Sequence, residues 1–228
     1  MTPGTVILDV DGTLVDSNGA HARAWVDAFA EAGITVPFDR VRRAIGMGGD
    51  KLMPAVSGID EDTERGQAIS VRRGAIFKER YLSDLRAFPA TRELVSRLRG
   101  DGFRIAVASS AKEDELGPLL ERASVADLIG PRTSSDDAEG SKPEPDIVHA
   151  AMRRSEADPQ RTLMLGDTPY DVEAARAAGI AIIGVECGGW PADALAGAIA
   201  IYRDPADLLA RYDQSPFAHL RDGDHVKA

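Results

Sequence analysis

The sequence predicts an α/β fold: a Rossmann-like parallel sheet core with an inserted all-helical cap domain. Three observations carry that prediction. Short apolar runs alternate with amphipathic helical stretches, the pattern of βαβ units. Several of those runs end in polar residues, as strands do where they open into a site. One long stretch after the first run breaks the alternation and is helical throughout.

In chain order, strands are expected at 6–8, 105–108, 163–165, 180–185 and 198–202, with a further short run near 128–132. Helices are expected at 91–99, where Leu94, Val95 and Leu98 share a face, and at 113–122, 145–154, 169–178 and 205–212. From 18 to 85 no strand pattern occurs. There His21, Trp25 and Phe29 recur at four-residue steps, as do Phe77, Tyr81 and Leu85. Within this stretch Ile45-Gly46-Met47-Gly48-Gly49-Asp50 reads as a loop. The expected organisation is a core of residues 1–16 and 86–228, with residues 17–85 as the cap. The tail after Tyr212 is polar and expected to be loosely held.

Composition narrows the function classes. At 228 residues, 43% hydrophobic and 28% charged, the chain has the make-up of an ordinary globular protein. A formal net charge of −10 argues against broad nucleic-acid or anionic-membrane binding. No apolar run is long enough to span a bilayer, and no secretory signal pattern precedes the first strand. The single cysteine, Cys187, cannot form an internal disulfide, which fits a reducing cytoplasm. No exposed apolar stripe argues for an oligomer, so a monomer is expected.

The polar residues at the strand ends supply the chemistry. The first run closes with Asp9 and Asp11, one residue apart, followed by Gly12 and Thr13. Like charges so close disfavour joint ionisation unless a proton or a cation lies between them. A second run ends in Ser109 and Ser110, and a third in Gly166, Asp167 and Thr168, with Asp171 beyond. Lys142 stands in "EGSKPEPD". Four carboxylates, a hydroxyl and an ammonium can hold a hard divalent cation and a phosphate together.

Taken singly, these residues have plainer explanations. Asp9 and Asp11 suit a turn, and Lys142 a solvated loop. Asp171 falls at the third position of a helix capped by Thr168, where an acid favours the positive helix end. His21 and Trp25 read more readily as packing than as catalysis.

Their order changes the reading. "DVDGTL", a strand ending in serine, "KPEPD" and "GDTPYD" together resemble the haloacid dehalogenase-like hydrolase superfamily over about residues 5–185. The helical insert is similar to the small cap of its phosphoglycolate phosphatase and β-phosphoglucomutase branch. The resemblance implies Asp9 as nucleophile, forming an aspartyl phosphate, and Asp11 as acid and base. It implies Mg2+ held by Asp9, the Asp11 carbonyl and Asp167, with Asp171 assisting. Gly12, Thr13, Ser109, Ser110 and Lys142 would bind the phosphoryl group, the first two through backbone N–H groups. Asp11 is expected to begin the reaction neutral.

The cap then selects the substrate, a small phosphorylated metabolite. His21, Trp25, Gly48, Gly49 and Lys51 are its candidate contacts. Gly49 falls where mutase-like members carry an arginine for a second phosphate, and Lys51 offers only a point charge. A phosphatase is therefore expected, with a phosphosugar mutase as the alternative and a catalytically silent binding module as a third reading.

Overall fold

Thr5, Val6, Ile7 and Leu8 are all buried, and they form the first strand, β1 (Thr5–Leu8). The computed structural model of the chain describes residues 4–138 and 140–221. After β1 come α1 (Asn18–Glu31), α2 (Phe38–Ala44), α3 (Gly49–Ser57) and α4 (Glu64–Ile76), the last continuing into a wider π-type turn at Phe77–Tyr81. The chain then returns to regular alternation: α5 (Thr91–Gly100), β2 (Arg104–Ala108), α6 (Glu113–Arg122), β3 (Arg132–Thr133) and α7 (Asp146–Ser155). It closes with β4 (Thr162–Gly166), α8 (Pro169–Ala177), β5 (Ala181–Val185), β6 (Ala200–Tyr202), α9 (Pro205–Ala210) and α10 (Pro216–Arg221).

All six strands are parallel, in the order β3-β2-β1-β4-β5-β6. Strand periodicity explains how the sheet is buried on both faces. Val6, Leu8, Leu163, Leu165 and Ile183 join one apolar cluster. Ile7, Met164 and Ile182, one residue out of phase, join the other together with Ile147, Val148 and Val172 from α7 and α8. The order reverses between β1 and β4, and in such sheets the crevice beyond the carboxyl ends of those strands is where ligands bind.

Helices α1 to α4 pack on one another, α1 lying against both α2 and α4. Their shared interior includes Trp25, Phe29, Leu52, Met53, Ile69 and Phe77, all buried. The two chain segments leading in and out run side by side. Asp16 N–H donates to the Arg86 carbonyl and Phe88 N–H to the Leu14 carbonyl, each at 3.0 Å.

Two expectations need correction. Gly49 and Asp50 open α3 and so do not belong to the loop. The tail is held firmly as far as Arg221: Phe217 and Leu220 are fully buried, and the Phe217 ring meets Phe103 and Tyr212. Its apolar residues sit three apart, a helical spacing masked by the polar residues around them. Residues 222–228 lie outside the described ones. Among the described residues no helix is long and apolar enough to cross a membrane.

Candidate active site

Parallel pairing of β1 with β4 sets Leu8 beside Leu165, so Asp9 emerges beside Gly166 and Asp167 follows one residue on. Asp9 and Asp167 therefore leave the sheet as neighbours. The Thr13 hydroxyl sits between them, 2.9 Å from Asp9 Oδ2 and 3.1 Å from Asp167 Oδ1. Asp171 comes from the first turn of α8. Its Oδ2 accepts from Thr168 N–H at 3.1 Å and Oγ1 at 2.6 Å, which is the predicted helix cap. Its Oδ1 points to Lys142, 2.7 Å away.

Lys142 is 1% exposed and is not a solvated loop residue. Its Nζ donates to Asp9 Oδ1 at 2.6 Å and so joins Asp9 to Asp171. Burial would lower the lysine's affinity for its proton, but the two carboxylates outweigh that and raise it. One ammonium does not balance three buried acids. Desolvation, with Asp171 and Asp11 adding to it, pushes Asp9 up to about 7 despite Lys142. Burial and the charges of Asp9 and Asp171 also raise Asp167 well above the ordinary carboxylate range.

Carboxylate oxygens of Asp9, Asp167 and Asp171 lie within 4.8 Å of one another. An all-oxygen donor set with this excess of negative charge fits Mg2+. The Asp11 side chain lies outside the cluster and faces α1. Its Oδ1 accepts from the Ser17 hydroxyl at 2.5 Å and sits 2.9 Å from His21 Nε2. Burial would raise its pKa, but His21, Ser17 and Arg73 together lower it. These contacts favour the charged form of Asp11 while burial disfavours that of Asp9, a bias opposite in direction to the expected neutral Asp11. The lone-residue view of His21 also changes: it stacks on Phe77 at 3.9 Å between ring centroids and still reaches Asp11.

Glycines make room for this cluster. Gly12 has φ +82°, and a Cβ there would stand 2.3 Å from Asp167 Oδ2. A Cβ on Gly188, in the loop after β5, would stand 1.6 Å from the same oxygen. The N–H groups of Gly12 and Thr13 donate to the Val15 and Val10 carbonyls, so they are not phosphate donors in this state. At the end of β2, Ser109 Oγ accepts from Ala111 N–H at 3.1 Å, leaving its own proton to donate. Ser110 lines the same cavity as Asp9 and Asp11.

That cavity is small, about 50 Å³, and lies between the sheet ends and the inserted helices. Trp25, Gly46 and Gly49 contribute to its wall; Gly48 and Lys51 do not. Gly48 abuts Ser141 instead, and Lys51 pairs with Glu144 on the surface.

Several site residues escaped the sequence reading. Asn18 Nδ2 donates to Asp167 Oδ2 at 2.9 Å, while its Oδ1 is buried without a hydrogen-bond partner. Arg73 and Glu115 form a buried pair on the cavity wall. A signal for Arg73 was present, since it shares the helical face of Ile69 and Ile76.

The family model for haloacid dehalogenase-like hydrolases matches residues 6–185, which contain β1 from its second residue, β2 to β5 and all the clustered acids. The chain belongs to the haloacid dehalogenase-like hydrolases. A relative named "Probable phosphatase IndB" from Dickeya dadantii (strain 3937) is 32% identical over 198 residues, covering 85% of this chain and 85% of its own length. The phosphoglycolate phosphatase of Nitrosospira multiformis is 33% identical over 179 residues, covering 76% of this chain and 79% of that protein. Among solved structures, a hydrolase from Pseudomonas syringae superposes with a TM-score of 0.86 at 29% identity, covering 92% of this chain and 98% of that one. This haloacid dehalogenase-like hydrolase is a phosphatase.

Proposed function

We propose that the protein is a Mg2+-dependent cytoplasmic phosphatase of a small phosphorylated metabolite, working through an aspartyl phosphate on Asp9. The observation that carries this reading is the cluster of Asp9, Asp167 and Asp171 at the β1/β4 ends, with Lys142 held against Asp9.

Phosphoryl transfer asks the protein mainly for positioning and charge neutralisation. Asp9 presents one oxygen to Lys142 and the other to Thr13, so its orientation is fixed from both sides. Asp167 and Asp171, with Asp9, would hold Mg2+, which supplies positive charge to the phosphoryl oxygens and favours the ionised form of Asp9. Lys142, Ser109 and Ser110 bind the transferred group. Asp11 exchanges protons first with the leaving oxygen and then with the attacking water. The 2.9 Å contact with His21 Nε2 orients the Asp11 carboxyl toward the cavity that both residues line.

Residues 17–85 act as the cap. A volume of about 50 Å³ holds only a water or two, so substrate is admitted when this unit swings on its paired connections. The phosphoglycolate phosphatases among the relatives support a substrate of modest size. No cavity-lining side chain from the loop before α3 supplies a second phosphate-binding cation, which favours hydrolysis over mutase chemistry.

The test is phosphate release from a panel of small phosphate monoesters, with Mg2+ and with EDTA, beside Asp9→Asn. Metal-dependent release that falls by several orders of magnitude in the variant is expected. Near-normal turnover by Asp9→Asn would remove Asp9 from its role. Accumulation of glucose 6-phosphate from glucose 1-phosphate and a bisphosphate primer, without phosphate release, would make the protein a mutase.

A further inference from the structure

The cavity wall contributed by α4 and α6 carries an ion pair whose hydrogen bonds run between its own two members and not to the reacting carboxylates. Arg73 Nη1 donates to both oxygens of Glu115, at 2.9 and 2.8 Å. The two residues are 7% and 1% exposed, and both line the cavity that holds Asp9 and Asp11. The guanidinium carbon lies 5.1 Å from the centre of the Trp25 ring. Its Nε–H is buried and has no hydrogen-bond partner.

A carboxylate at this distance removes most of the field that Arg73 would otherwise offer to a second anion on the substrate. A polar cleft adjoins the cavity and shares Gly49, Arg73 and Ser110 with it. Among the described residues, the charged groups of this combined wall away from Asp9 and Asp11 are the cations Arg73 and Lys112 and the acids Asp50, Glu61, Glu115 and Asp136. An anionic leaving group would enter a net negative field in a water-poor site, whereas a hydroxyl or carbonyl would not.

Resting on the phosphatase reading, we propose that Glu115 is a specificity-determining residue. By neutralising Arg73 it selects phosphate monoesters whose leaving group is uncharged. It discriminates against those bearing a carboxylate or a second phosphate. This separates the chain from the substrate that its phosphoglycolate phosphatase relatives are named for. The repulsive element is built into the pocket, as specificity often requires.

A matched pair of substrates tests this. 2-Hydroxyethyl phosphate and 2-phosphoglycolate have the same length and differ in a hydroxyl against a carboxylate. With Mg2+, the wild type is expected to favour the hydroxyl ester in kcat/KM by about tenfold or more. Glu115→Gln keeps the side-chain shape and one acceptor oxygen for Arg73 but frees its charge. It is expected to narrow or reverse the ratio through a lower KM for 2-phosphoglycolate, and Glu115→Asp to restore it. Equal or better turnover of 2-phosphoglycolate by the wild type would overturn the proposal, as would an unchanged ratio in Glu115→Gln. The wild-type ratio decides even if Glu115→Gln fails to fold. Failure to release phosphate from either ester or from any member of the panel would instead refute the phosphatase reading beneath it.

Discussion

Replacing Lys142 with methionine separates what the lysine does for the fold from what it does for the chemistry. Methionine keeps an unbranched side chain in the same buried channel and removes only the charge. Lys142 Nζ is 2.6 Å from Asp9 Oδ1 and 2.7 Å from Asp171 Oδ1. At an effective dielectric constant of about 20, each contact amounts to roughly 6 kcal/mol of gross attraction, much of it offset by desolvation. Breaking a buried pair by removing one partner costs a net ~3–5 kcal/mol. For a chain of this size that corresponds to a fall of roughly 6–20 °C in Tm. The assay is thermal unfolding in EDTA, repeated in saturating Mg2+. The cation should return about 3 kcal/mol at a hundredfold excess over its Kd, because it binds the folded cluster alone. Turnover should stay lost in Mg2+, because the phosphoryl group would still lack the ammonium. A metal-free Lys142→Met that melts within about 2 °C of the wild type would refute the energetic argument. Normal turnover in Mg2+ would show that another cation does the lysine's work.

Two further outcomes follow from the same cluster. Gly188→Ala would force its Cβ to within 1.6 Å of Asp167 Oδ2, so Asp167 must move. The expected result is weaker Mg2+ binding by calorimetry and at least about a tenfold loss of kcat; unchanged metal affinity would show that the loop yields instead. In EDTA, stability should fall as pH rises from about 4 to about 7, since folded Asp9 keeps until about 7 a proton that the unfolded chain releases near 3.8. A shift of this size is worth on the order of 4 kcal/mol, and Asp167, also raised, acts in the same direction. Asp11, Asp137 and Asp207, whose pKa values are lowered, oppose this only below about 4, where they are protonated as pH falls. Mg2+ should flatten the slope by favouring the charged cluster, and a Tm in EDTA that rises between pH 5 and 8 would contradict the assignment.

What the sequence made legible is governed by range. The strands could be read because an apolar run ending in a polar residue is a local pattern, and parallel order then places such ends together. Asp9 and Asp167 lie far apart in the chain, yet β1 and β4 pair in register, so the two acids meet as neighbours. Asp171 was legible twice over, as a helix-capping acid and as part of the site, and the structure shows one carboxylate serving the cap through Oδ2 and Lys142 through Oδ1. The charge state of Asp11 was not legible. It depends on His21 and Ser17, whose four-residue spacing gives a helical turn but not the direction in which the carboxylate rotates. Arg73 and Glu115 escaped for a related reason. Each lies on an apolar helical face, Arg73 between Ile69 and Ile76 and Glu115 beside Leu116 and Leu119, and an isolated helix gives no hint of which opposite charge its neighbour brings. A charged residue on a buried face is nevertheless a demand for a partner, because an unpaired buried charge is too costly to retain. Two such demands of opposite sign, one on α4 of the helical insert and one on α6, therefore imply one another. Here they meet on the wall of the cavity that holds Asp9 and Asp11.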